Sequence, residues 1–237
     1  MENCNLKMGI RDGLPIGIGY FAVAFAFGLF CMTEGLSVLE ALFISMFNVT
    51  SAGQMAAVPI IAGGGTLIEL AMCQLVINSR YALMSVSLSQ KLGKTVRLRD
   101  RFLFGFMNTD EIFAVATGKG TLVGRRYLYG LCLAPFFGWS LGTLFGAVAG
   151  DILPNLLVTA LSISMYAMLV AIVVPVARDS RPVALLALSA LLLSCLFAFV
   201  PVLKSVPSGF VIIICAVTVS VAFALIFPIS DEKEGEW

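Results

Sequence analysis

The sequence predicts an all-α polytopic membrane protein with seven to eight hydrophobic helical segments, some of them broken or re-entrant. Three observations carry this. Of 237 residues, 59% are apolar and 12% charged, where a soluble domain holds roughly a quarter charged. The apolar residues form stretches along nearly the whole chain, most near the roughly 20 residues a helix needs to cross hydrocarbon. Lysines and arginines gather in the short loops between them, as they do in cytoplasmic loops. Backbone groups find no water in lipid, so the spans must be helices.

Composition also excludes. A net charge of +1 offers no basic surface to nucleic acid. With no histidine and no CxxC pair, neither a metal nor a cofactor is expected. Of Cys4, Cys31, Cys73, Cys132, Cys195 and Cys215, five lie in apolar runs and read as small hydrophobes. An intramembrane enzyme is disfavoured too, since the chain has no zinc or GxSxG motif.

The first stretch, 14–31, follows Lys7 and Arg11 as a signal peptide's core would. It is long enough to span and more spans follow, so it reads as the first transmembrane helix. The second, 38–61, centres on NVTSAGQMAAVP. Ser51-Ala52-Gly53-Gln54 fits the capping box that starts a helix. A start in mid-segment implies a break, with free N–H groups and a positive dipole end aimed into the protein. The alternative is an unbroken helix whose small residues admit close neighbours.

In 66–90, Gln74, Asn78, Tyr81, Ser85 and Ser89 share one helical face. Such a stripe suits a wall lined by water or substrate; a lone Asn would instead be interhelical glue. Arg80 falls off the stripe, about 16 Å along the axis from Lys91, and needs a partner at that depth. Asp110 and Glu111 are the candidates. Glu69 is a third, near a span end where hydration is expected.

The stretch 102–117 contains Asn108-Thr109-Asp110-Glu111. Its flanks, KLGKTVRLRDR at 91–101 and GKGTLVGRR at 118–126, are both predicted cytoplasmic. A segment between two cytoplasmic loops cannot cross once, so it must re-enter or lie shallow. Asn108 reads as an N-cap with Glu111 three residues on. The alternative is an interfacial helix whose carboxylates face headgroups.

Spans at 127–149, 155–175, 183–203 and 208–227 complete the set. Gly17, Gly19 and Gly28 in the first span, and Gly138, Gly142 and Gly146 in the fifth, are spaced for close helix crossings. Arg178 and Arg181 put the next basic loop inside, GDILP outside and the C-terminus inside. The N-terminus stays open: two crossings before residue 91 place it inside, three outside. The tail DEKEGEW is expected to be loose. The chain reads as a single integral membrane domain. ALFISMF at 41 and ALSISMY at 160 follow glycine-rich helices, consistent with repeats over about 13–117 and 127–227 or with chance matching.

Four motifs in order, GLPIGIGYFAVAFAFG, GLSVLEALFISMFNVTSAGQ, VINSRYALMS and NTDEIFAV, resemble the AzlC-type branched-chain amino acid exporter family, the larger subunit of the LIV-E permeases. The resemblance covers essentially the whole chain and is strongest over 13–115. It implies efflux of leucine, isoleucine and valine across the inner (cytoplasmic) membrane, a small AzlD-type membrane subunit, and coupling to the proton gradient. The family's motif residues fall on Ala52, Gly53, Gln54, Asn78, Arg80, Asp110 and Glu111. Many members carry His where this chain has Tyr81, so a His-based mechanism is not expected. On this reading the helix start at Ser51, Gly53 and Gln54 receives the substrate carboxylate. Asp110 faces the ammonium group or carries the proton. Gln74, Asn78 and Tyr81 orient the substrate, and Arg80 pairs with Asp110 or Glu111. Phe47, Met55 and Phe106 line the side-chain pocket. A scaffold subunit, or an exporter of another small solute, is the alternative.

Overall fold

The computed structural model describes residues 5–227, and the charged tail and Cys4 lie outside them. The described residues form an all-α membrane protein, in the order α1 (Leu6–Thr33), α2 (Val38–Phe47), α3 (Ser51–Ala62), α4 (Leu67–Gln90), α5 (Leu98–Phe106), α6 (Asp110–Thr117), α7 (Arg125–Ile152), α8 (Asn155–Asp179), α9 (Arg181–Phe199) and α10 (Ser208–Ile226). Stretches within α1, α7, α9 and α10 are long and apolar enough to span. The chain divides into two compact units. Of the described residues, the first holds 5–58 and Ile77–Met165; the second holds Pro59–Val76 and 166–227.

The first unit is built on α1 and α7, each of 28 residues and so about 42 Å long. Glycines let them touch backbone to backbone. Gly9 meets Tyr127, Gly17 meets Ala134 and Gly138, and Gly146 meets Phe25. The contacts advance together along both helices, so the two run parallel. Pro135 leaves the Leu131 carbonyl without its helical donor, and Gly13 packs on that carbonyl. Gly19 is different: a Cβ there meets nothing within 4 Å. The expectation that Gly19 shares the crossing is therefore corrected; it lies on the outer face. The helix starts, 6 and 125, are as far apart as the sequence echoes at 41 and 160.

Because α1 and α7 are parallel, Asn5 lies at the same end as the basic loop before Arg125. Asn5 caps α1 by accepting from the Met8 N–H at 2.9 Å. Lys119 pairs with Asp12 at 2.8 Å, and Tyr127 Oη donates to the same carboxylate oxygen. Nearby, buried Asp100 accepts from Tyr129 Oη at 2.8 Å and from the Arg97 N–H at 3.0 Å, and pairs with Arg125 at 3.1 Å. Burial pushes its carboxyl pKa up, but the Tyr129 and Arg97 hydrogen bonds and the Arg125 charge outweigh this and hold it below the usual value.

Segment 38–61 is broken at Asn48–Thr50 and turns back on itself. Leu36 and Ala41 before the break, and Val58 after it, share one cluster with Phe27, Cys31 and Ala147. That cluster lies toward the far ends of α1 and α7. Ser37 and Glu40 form a capping box at the entry to α2, and Gly35, with φ of 81°, makes the turn after α1 that a side chain would strain. Ser45 and Thr143 hydroxyls meet at 2.6 Å along the way down.

Segment 98–117 does the same from the opposite end. It breaks at Met107–Thr109 between α5 and α6. Val96, Phe104, Ile112 and Ala116 pack in one cluster with Val123, Tyr127 and Leu131, at the basic-loop end. The Val123 N–H donates to the Lys91 carbonyl and the Gly93 N–H to Val123, which closes the hairpin's base.

In the second unit, Glu69 is 4% exposed and accepts from the Gly209 N–H at 2.8 Å. The expectation of a hydrated Glu69 is thus overturned. The open first turn of α10 offers a donor and a positive dipole end, and the carboxylate is held there instead of in water.

Candidate functional site

The two hairpin tips meet one aromatic pair. Tyr20 and Trp139 each stand about 20 Å from both ends of their helices, with rings packed edge to face at 4.9 Å between centroids. Val49, from the first tip, shares one buried cluster with both. Trp139 Nε1 donates to Gln54 Oε1 at 3.0 Å. The Tyr20 hydroxyl bonds Thr109 Oγ1 at 2.7 Å and Glu111 Oε2 at 2.5 Å. One pair of rings, halfway along both helices, thus holds both tips.

At the first tip, Thr50 Oγ1 donates to Asn48 Oδ1 at 2.7 Å, and the Gln54 N–H bonds the Thr50 carbonyl at 3.0 Å. Ser51 is therefore the first helical residue, not the cap. Gln54 is 1% exposed and turned to Trp139, so the capping box expected at Ser51 and Gln54 does not form. The reason is competition: a buried indole N–H needs an acceptor, and Gln54 supplies it. The break itself is present, with Ser51 and Ala52 half-buried and Gly53 buried at the start of α3.

At the second tip, Thr109 is the cap, its Oγ1 accepting from the Ile112 N–H. The cap expected at Asn108 moves by one residue, and Glu111 becomes the second helical residue, bonded to Tyr20 instead of back to Asn108. Asn108 is buried and its Nδ2 donates to Ser85 Oγ at 3.4 Å. Asp110 and Arg80 form a two-point ion pair, Nη2–Oδ2 at 2.9 Å and Nη1–Oδ1 at 3.2 Å, with both side chains about half exposed. Arg80 Nη2 also reaches Tyr81 Oη at 3.1 Å.

The stripe on α4 takes the inner side of its helix. Asn78, Tyr81, Ser85 and Ser89 are half-buried, while Leu75, Leu83 and Val86 are 63–75% exposed. Gln74 belongs to the second unit, where its side chain is half-buried. Beside the two tips lies an apolar cavity of about 340 Å³, lined by Met46, Phe47, Leu103, Phe106, Met107, Tyr129, Cys132, Leu133 and Phe136. Phe47 and Phe106 are among the lining residues. Met55 instead packs against the far cluster with Phe27 and Val58, because it follows the tip and rises with α3.

Sequence reasoning missed Tyr20, Trp139 and Thr109 as parts of this centre. A tyrosine hydroxyl and an indole N–H in mid-span were the available signal, since each must find a partner there.

This centre lies within the region matched by the family model described as AzlC protein, residues 15–153. The chain is 33% identical to the inner membrane protein YgaZ of Escherichia coli over 60% of this chain and 60% of that protein. It is 30% identical to a membrane protein of Archaeoglobus fulgidus over 73% of this chain and 77% of that one. A Helicobacter pylori membrane protein matches at 24% over 60% of this chain and 64% of its own. No solved structure matches. The family match runs from α1 through α7, both hairpins included, and takes in more than half of the chain: the protein belongs to the AzlC family of membrane proteins.

Proposed function

We propose that the chain is the larger subunit of a secondary exporter of branched-chain amino acids, driven by the proton gradient and completed by a small AzlD-type membrane subunit. One observation carries the reading: two hairpins folded in from opposite ends of the α1–α7 pair bring two helix starts to its middle, beside an ion pair and an apolar cavity of about 340 Å³. Broken-helix starts bind substrate groups in transporters of other folds. A zwitterion with an apolar side chain needs those parts: an anion site, a cation site and an apolar pocket.

In this mechanism the start of α3, at Ser51 and Gly53, takes the carboxylate at its positive dipole end. The cavity takes the side chain. Asp110 faces the ammonium group or accepts the coupling proton, and Arg80 pairs with it in the alternate state. Protonation in place of an ion pair makes a two-state element that a gradient biases. Asn78 and Tyr81 orient the substrate. Gln54, held by Trp139, fixes the first tip. The basic loops 91–101 and 118–126 face the cytoplasm, with the N-terminus at the same end and the C-terminus also inside.

The test is counterflow of labelled leucine in proteoliposomes, with and without the small subunit. Leucine exchange lost in Asp110→Asn is the expected result. Absence of exchange with both subunits present contradicts the reading, and exchange that persists in Asp110→Asn removes Asp110 from it. Competition by valine, methionine and phenylalanine ranks substrates. Exchange of an unrelated solute, with leucine inert, favours an exporter of another class.

A further inference from the structure

Asn108 is 3% exposed, and its Oδ1 is buried with no hydrogen-bond partner. Native folds leave few such oxygens unsatisfied, and each calls for an explanation. Other acceptors of the two tips already have donors. Asp110 is held by Arg80, Thr109 and Glu111 by Tyr20, and Gln54 Oε1 by Trp139. Ser140 Oγ is also buried without a partner, but a hydroxyl can turn to the carbonyl one helical turn back. The Asn108 carboxamide, anchored on Ser85 through Nδ2, has no such freedom.

The group that satisfies an amide oxygen must be a donor. Asp110 and Glu111 follow Asn108 at the start of α6, and two carboxylates offset by one arginine leave a negative field that favours a cation. We propose that Asn108 Oδ1 accepts a hydrogen bond from the ammonium group of the transported amino acid. This rests on the amino acid exporter reading above and moves the ammonium contact from Asp110, already paired, to its neighbour. The tip of the second hairpin then holds the cationic end of the substrate and the start of α3 the anionic end. Tyr20 and Trp139 tie the two together.

The analogue 4-methylpentanoate keeps leucine's carboxylate and branched chain and lacks the amino group. The experiment measures binding of leucine and of 4-methylpentanoate to the full chain with its small subunit, in wild type, Asn108→Asp and Asn108→Leu. Wild type is expected to prefer leucine by about tenfold or more, the scale of a hydrogen bond to a charged group. Asn108→Asp keeps the acceptor and the preference. Asn108→Leu loses leucine affinity by about the same factor and binds the analogue as wild type does. If Asn108→Leu does not fold, Asn108→Ala carries the same expectation. A variant without the acceptor that keeps the wild-type preference overturns the proposal. Wild type that binds neither compound overturns the exporter reading itself, a distinguishable result.

Discussion

Two glycines of one motif, GIG at 17–19, should respond in opposite ways to the same substitution. An alanine Cβ at 17 would lie 2.6 Å from the Ala134 carbonyl oxygen and 2.7 Å from its carbon. Ordinary contact begins near 3.4 Å, so α1 and α7 must part by about 0.8 Å at a crossing made of rigid backbone, an overpacking that costs typically 1–3 kcal/mol. At 19 the added methyl meets nothing within 4 Å, and the helix gains up to about 1 kcal/mol of propensity. Gly17→Ala should therefore unfold before wild type and Gly19→Ala no earlier than wild type. Thermal unfolding in mild detergent, followed by intrinsic fluorescence, measures both. A Gly17→Ala protein as stable as wild type, beside a destabilised Gly19→Ala, would refute the parallel α1–α7 contact.

Trp139→Phe leaves Gln54 Oε1 buried without its donor, a loss of about 1–3 kcal/mol; adding Gln54→Leu should restore much of it, read by the same melts. Arg80→Met should cost only about 0–1 kcal/mol, since the ion pair with Asp110 is half exposed, so a large fall in counterflow from this variant reports chemistry and not folding. Asp100 has a depressed folded-state pKa. Its contribution is present above the unfolded value of about 3.9 and is lost as pH falls through the folded value. Asp100→Asn should lower stability at neutral pH and flatten its acid dependence; an unchanged acid limb would remove Asp100 as a linked group. Glu69→Gln keeps an acceptor for the Gly209 N–H, whereas Glu69→Leu strands that donor, so the Leu variant should melt distinctly lower.

The breaks at 48–50 and 107–109 were legible because small and polar residues interrupt apolar runs, and because the lysines and arginines on both flanks of 102–117 forbid a single crossing. Cap identity was legible only to within one residue. Asn108 and Thr109 both make good caps, and helix boundaries shift that far between adjacent candidates. Gln54 was misread locally because its partner, Trp139, is remote in sequence. The same distance hid Tyr20: an aromatic in a glycine-rich span gives no local sign that its hydroxyl will meet a hairpin tip. That the start of α1 lies at the same end as the basic loop before α7 follows from the direction of α1 against α7, and only packing supplies that.

The most direct test of a single site at the meeting of the two tips is substrate protection of single cysteines. Thr50→Cys and Met107→Cys, each in a background without the native cysteines, are reconstituted with the small subunit and treated with a small methanethiosulfonate reagent. Leucine should slow modification at both positions over the same concentration range, and 4-methylpentanoate should do so less. Protection at neither tip, or at one tip independently of the other, would contradict the account.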